Sequence, residues 1–123
     1  MRLPSDYDPA AETEYPSAFL LDGGLTFPIL AGYQRYLELA EDAPPMIVVG
    51  LSYGIDDWQK GNARSTDFTT PVEGRDHWGG AREFLSLLLE HVISLVEQHY
   101  PVDSNQRILF GQSLGGNLFS TLQ

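Results

Sequence analysis

The stretch that most constrains how this chain can fold is Arg107-Ile108-Leu109-Phe110-Gly111-Gln112-Ser113-Leu114-Gly115-Gly116. A short apolar run leads into Gly-x-Ser-x-Gly and then into residues able to start a helix. In that strand–turn–helix context the pattern reads as a nucleophile elbow. The reason is spatial. In so tight a turn the incoming strand nearly touches the outgoing helix, and the serine is held in a strained backbone conformation. Residues without a Cβ are needed two places before and after it, hence Gly111 and Gly115. Ser113 is then expected to project from the carboxyl edge of a sheet, with the Leu114 N–H directed to where an oxyanion would form. The plainer alternative is an ordinary glycine-rich βα turn, which asks nothing of Ser113.

The rest of the sequence supplies the framework that such an elbow needs. Arg2 to Pro9 reads as the end of a strand running into a loop, and residues 4–16, rich in Pro, Asp, Glu and Ser, predict an acidic surface loop. Ser17 to Asp22 is a short apolar run of buried-strand type, ended by Gly23-Gly24. Thr26 is placed to cap a helix whose apolar positions Ile29, Leu30, Tyr33, Leu37 and Ala40 recur at helical spacing. Ala43-Pro44-Pro45 stops it. Met46 to Leu51 is the clearest strand, and its unbroken apolarity predicts burial on both faces, as in a parallel sheet. From Ser52 to about Trp78 there is no periodicity, and the aromatics favour an ordered, pocket-forming loop. A long amphipathic helix is expected over 80–100, with Ala81, Phe84, Leu85, Leu88, Val92, Leu95 and Val96 on its apolar side. Val102 to Gln106 reads as a turn before the last strand. Parallel strands alternating with helices make an α/β fold with right-handed crossovers.

Composition narrows the partners. With 123 residues there is room for one small domain. A net charge of -10 argues against nucleic acid and anionic membranes as partners, and no apolar run approaches a membrane span. The absence of cysteine removes disulfides, thiolate metal sites and a cysteine nucleophile. The acidic residues are scattered without metal-ligand spacing, and neither a phosphate-binding nor a dinucleotide glycine pattern occurs, so neither metal nor cofactor is implied. The compartment stays open, with a cytoplasmic one slightly favoured.

Several stretches together carry a resemblance. They are Leu3-Pro4-Ser5-Asp6-Tyr7-Asp8-Pro9, Leu20-Leu21-Asp22-Gly23, Pro45 to Gly50, Asp67-Phe68-Thr69, Gly79-Gly80-Ala81 with Phe84-Leu85, and Phe110 to Gly116. In this order the chain resembles the Putative esterase family of α/β hydrolases, the group with esterase D, enterochelin-type esterases and siderophore trilactone hydrolases. One departure is Gln112, where that family usually has His. The resemblance implies an incomplete α/β-hydrolase fold with its elbow near the C-terminus. Residues 1–123 would be a partial single domain, truncated at both ends, lacking the half with the triad Asp and His. It also implies that Ser113 is the acyl-accepting nucleophile, and that the loop near Gly24 and Leu25 supplies a second oxyanion N–H.

In this fold the triad order is Ser, then Asp or Glu, then His, yet only Leu114 to Gln123 follow Ser113, without acid or histidine. His91 and His99 sit on the long helix at solvated or C-terminal positions. His77, beside Trp78, could face the pocket but precedes the serine. Arg64, Asp67 and Thr69 are candidates for binding a polar substrate group; alternatively, an Arg64–Asp67 ion pair pins the loop to itself. Asp56, Asp57 and Trp58 line a pocket rim or form a solvated turn. Asp22 is expected to order the oxyanion loop rather than to act as an acid. The leading expectation is a serine carboxylic-ester hydrolase acting on a small-molecule ester, inactive as these residues alone. A non-catalytic α/β-hydrolase-like binding or assembly module and an acyltransferase stay open. The strand Arg107–Phe110 would lack a neighbour and leave an apolar edge prone to self-association.

Overall fold

The computed structural model describes residues 1–54 and 63–122. The expectations for Asp56, Asp57 and Trp58 lie outside the described residues. Three parallel strands, β1 (Tyr15–Leu20), β2 (Ile47–Gly50) and β3 (Val102–Phe110), form a sheet in the order β2-β1-β3. Between them run α1 (Gly23–Leu39), the one-turn α2 (Arg64–Asp67) and a helical stretch made of α3 (Ala81–Leu87), a π-helical segment (Leu88–Ile93) and α4 (Ser94–His99). Helix α5 (Leu114–Ser120) leaves the elbow. Arg2 adds an antiparallel bridge to Val48 on the outer side of β2.

Apolar residues on alternate faces of β1 explain the layering. Phe19 and Tyr15 pack with Ile47 and Val49 against Leu88, Ile93 and Val96 of the long helical stretch. Ala18 and Leu20 pack with Met46 and Val48 against Ala31 of α1, flanked by Phe27 and Leu30. Leu118 of α5 joins Leu21, Phe68 and Ala81 in a third cluster. β1 and β2 are thus buried on both faces, as the apolarity of Met46 to Leu51 predicts, whereas β3 is largely exposed.

Several sequence expectations need correction. Tyr15 and Pro16 belong to β1, not to the acidic loop, and Tyr15 is buried. The segment 102–106 is not a turn. β3 begins at Val102, and one intervening residue of β1 faces four of β3, so the register slips before it is regained at Arg107 opposite Ser17. The loop after Ser52 contains the helical turn α2.

The faces of both long helices also differ. Asp22, not Thr26, is the N-cap residue of α1. The buried residues are Gly23, Thr26 and Ala31, while Ile29 and Tyr33 are 63% and 58% exposed. The cause is Gly23, whose backbone lies so close to β2 that a Cβ there would sit 2.7 Å from the Leu51 nitrogen. That contact fixes where α1 begins and which stripe (Gly23, Thr26/Phe27, Leu30/Ala31) meets the sheet. In the second helical stretch the π segment shifts the stripe from Leu88 to Ile93, then to Val96. Ile93 is 2% exposed, whereas Leu95, expected on the apolar side, is 58% exposed.

Candidate active site

The carboxyl ends of three parallel strands converge at one edge, where α/β sheets bind ligands. β1 and β3 are in register up to Leu20 opposite Phe110, and the Leu21 N–H donates to the Phe110 carbonyl at 3.0 Å. Their exits, the Asp22–Gly23 corner and the Gly111–Gly115 turn, are therefore neighbours. The Leu51 N–H, leaving β2, donates to the Leu20 carbonyl at 2.8 Å.

The elbow is a tight turn in fact as in sequence. Ser113 has φ 56° and ψ -119°, a left-handed conformation that L-residues avoid. A Cβ on Gly111 would lie 2.4 Å from the carbonyl carbon and oxygen of Gly115 and 2.8 Å from the Gly116 nitrogen. Gly111 is thus obligatory, because backbone meets backbone. Gly115 is constrained less, since a Cβ there would meet the Leu21 side chain at 3.2 Å and the Asp22 carboxylate at 3.9 Å. Ser113 and Gln112 are exposed at the tip. The Gly115 N–H closes the turn onto the Gln112 carbonyl at 3.0 Å, and the Asn117 N–H donates to the Ser113 carbonyl at 3.1 Å. The Leu114 N–H has no acceptor among the described residues.

Across from it lies the start of α1. Asp22 is also left-handed, at φ 54° and ψ 45°. The Gly23 N–H donates to the Leu51 carbonyl at 2.7 Å; the Leu25 and Thr26 N–H groups donate to the Asp22 carbonyl at 3.0 and 2.9 Å. Of the two amides expected from the loop, Leu25 is committed, while the Gly24 N–H has no acceptor among the described residues.

Arg64 and Asp67 do not form the ion pair with each other that the sequence left open. Arg64 reaches back to the β1 exit, its Nε and Nη2 donating to Asp22 Oδ1 and Oδ2 at 2.9 and 3.1 Å. Asp67 instead accepts the Tyr53 hydroxyl at 2.6 Å. Desolvation pushes the Tyr53 hydroxyl far above its usual range, reinforced by that hydrogen bond and by the negative charge of Asp67. Thr69 is buried, donating to the Ser65 carbonyl at 2.6 Å and accepting from the Gly79 N–H at 3.2 Å, which knots the loop. His77 is exposed, its ring edge-on to Trp78. His91 and His99 are exposed on the helix.

Beside the elbow, Phe68, Thr69 and Trp78 face Leu114, Asn117 and Thr121 around a cavity of about 90 Å³, room for a few heavy atoms only. Among the described residues no group of acidic or histidine side chains could hold a metal ion. Sequence reasoning missed Tyr53 and the Asp22–Arg64 link. The two partners of that link are 42 residues apart, and no local pattern joins them.

The profile of the Putative esterase family matches residues 1–118. Among curated proteins, the chain is 28% identical over 123 residues to the ferri-bacillibactin esterase BesA of Bacillus subtilis, covering 88% of this chain and 42% of that protein. It is 29% identical over 117 residues to an apo-salmochelin esterase of Escherichia coli, covering 87% and 36%. Among solved structures, the BES protein from Bacillus cereus superposes with a TM-score of 0.81 at 30% identity, covering 94% of this chain and 45% of that one. The siderophore hydrolase EstA from Aspergillus nidulans gives a TM-score of 0.76 at 28% identity, covering 93% and 44%. The chain spans less than half the length of these relatives. Its sheet and helices are part of an α/β-hydrolase fold.

Proposed function

The chain belongs to the Putative esterase family, and on that footing we propose that residues 1–123 carry the nucleophile half of a serine carboxylic-ester hydrolase. The observation that bears most weight is the left-handed Ser113 at the tip of a turn too close for any Cβ at Gly111. Strain of this kind, of order 1–3 kcal/mol, persists where the surroundings enforce it, as at active sites. The Ser113 Oγ attacks the ester carbonyl carbon, its proton passing to a base, and the carbonyl electrons move to oxygen. The Leu114 and Gly24 amides donate to that oxyanion. Collapse expels the alcohol, which takes the proton, and water then hydrolyses the acyl-enzyme. The base and the acid that orients it would come from outside 1–123, since the three histidines precede Ser113 in the chain. Small-molecule esters are the substrate class, and the names of the relatives put siderophore esters first among those to try.

A fluorophosphonate probe tests this. Ser113 in the native polypeptide should be labelled and Ser113→Ala should not. A native polypeptide that never labels would leave the non-catalytic module as the reading. β3 is an edge strand, with Ile108 53% and Phe110 36% exposed, so the 123-residue chain by itself is expected to self-associate. Light scattering should show species larger than a monomer, reduced by Ile108→Lys; a monodisperse wild-type monomer would sink that expectation.

A further inference from the structure

At the start of α1 a residue type that usually caps a helix does not cap it. The N-cap residue is Asp22, and an aspartate there normally has an extended backbone and accepts from the amide of the second or third helical residue. Those residues are Gly24 and Leu25. Here the backbone is left-handed and no cap bond forms from the side chain. The carboxylate is turned the other way, into the two-pronged grip of Arg64, with the Asp22 and Arg64 side chains 4% and 15% exposed. Arg64 is itself held, its guanidinium 5.5 Å from the centroid of Phe68, a buried ring set edge-on against Phe84.

The result is selective. Leu25 and Thr26 donate to the Asp22 carbonyl and Gly23 donates to Leu51, while Gly24 alone of the first-turn amides is left without an acceptor among the described residues. The Asp22 carboxylate lies beside Gly115 of the elbow, 3.9 Å from where a Cβ of that glycine would be. From there it is an anion that could turn into the place of a developing oxyanion.

We propose that Arg64 is a positioning residue that keeps the Asp22 carboxylate away from the Gly24 amide, and so keeps an oxyanion donor open. This rests on the esterase reading for its consequence in catalysis, but the geometry can be tested without it. Without Arg64 the carboxylate is expected to swing back to the ordinary capping position and satisfy the Gly24 N–H, both blocking the site and placing a negative charge there.

The test reads hydrogen exchange at the Gly24 amide in the native polypeptide. Arg64→Ala should slow Gly24 exchange about five- to ten-fold, the factor carried by one capping bond, with Val48 unchanged. Asp22→Gly in the same background should restore the wild-type rate, glycine being at ease in the left-handed corner. A role that is merely structural predicts the opposite sign, faster exchange at Gly24. Faster or unchanged exchange, or no restoration by Asp22→Gly, overturns the proposal. Should Arg64→Ala also strip protection from Val48, Arg64→Lys replaces it, with a smaller slowing in the same direction expected and its absence equally fatal. In the native polypeptide, ester turnover by Arg64→Ala should lose about 100-fold in kcat, the cost of one oxyanion donor, with KM little changed, and Asp22→Gly should recover it. If Gly24 exchange responds as described while Ser113 never labels, the esterase reading fails and the positioning by Arg64 stands.

Discussion

The elbow and the helical stretch that precedes it answer to different kinds of constraint. At Gly111–Gly116 the demand is local: two backbones a few residues apart in sequence approach within 2.4 Å of where a Cβ would be. No packing elsewhere can relieve that, so the sequence must carry the glycines. Along Ala81 to His99 the demand is distant. Leu87, Leu88, Leu89, Val92, Ile93, Leu95 and Val96 all suit a buried helix face, and the sheet decides which of them it takes. A π segment over Leu88–Ile93 inserts an extra residue into the turn, so that Ile93 goes inward and Leu95 outward. A short-range clash leaves an unambiguous trace in sequence; a choice among equivalent apolar residues leaves none.

Substitutions on either side can break this contrast. The largest effect is expected at the elbow. Gly111→Ala should cost about 3 kcal/mol or more, because the added methyl meets backbone that cannot move independently; a urea unfolding midpoint within error of wild type would refute the close approach. Next comes the helical pair. Ile93→Ala should lose about 2–5 kcal/mol by emptying a core site, whereas Leu95→Ala should stay within about 0.5 kcal/mol. Equal losses at the two positions would mean that the helix keeps α phase throughout. A smaller effect of opposite sign is expected at the tip of the turn. Ser113→Gly relieves about 1–3 kcal/mol of strain and adds about 0.5–1 kcal/mol of chain entropy to be lost on folding. The variant should thus gain about 1 kcal/mol in the same urea titration while losing all probe labelling, and a loss of stability would argue that Ser113 is not strained.

The α1 helix falls between these two cases. Its presence follows from the spacing of apolar residues, but it starts at Gly23 and ends at Leu39, earlier at both ends than Thr26 and Pro44-Pro45 suggest. The periodicity points to Ile29 and Tyr33, which are exposed. What rotates the helix is the contact of Gly23 with the β2 exit, a meeting of segments that are far apart in sequence. The unused stripe remains on the outside.

The sequence by itself determined the alternation of strands and helices, the parallel sheet implied by unbroken apolar strands, and the elbow with its glycines and exposed serine. Each is a matter of short-range sterics or of burial averaged along a segment, and residue type reports both directly. Only the tertiary structure decided which helix faces are buried, where β3 slips register, and that Arg64 holds Asp22 instead of Asp67. The charges involved could pair in several combinations that composition treats alike. Arg64 meets Asp22 because α2 is laid across the exit of β1, a juxtaposition 42 residues apart in the chain that is set by how the loops close over the sheet.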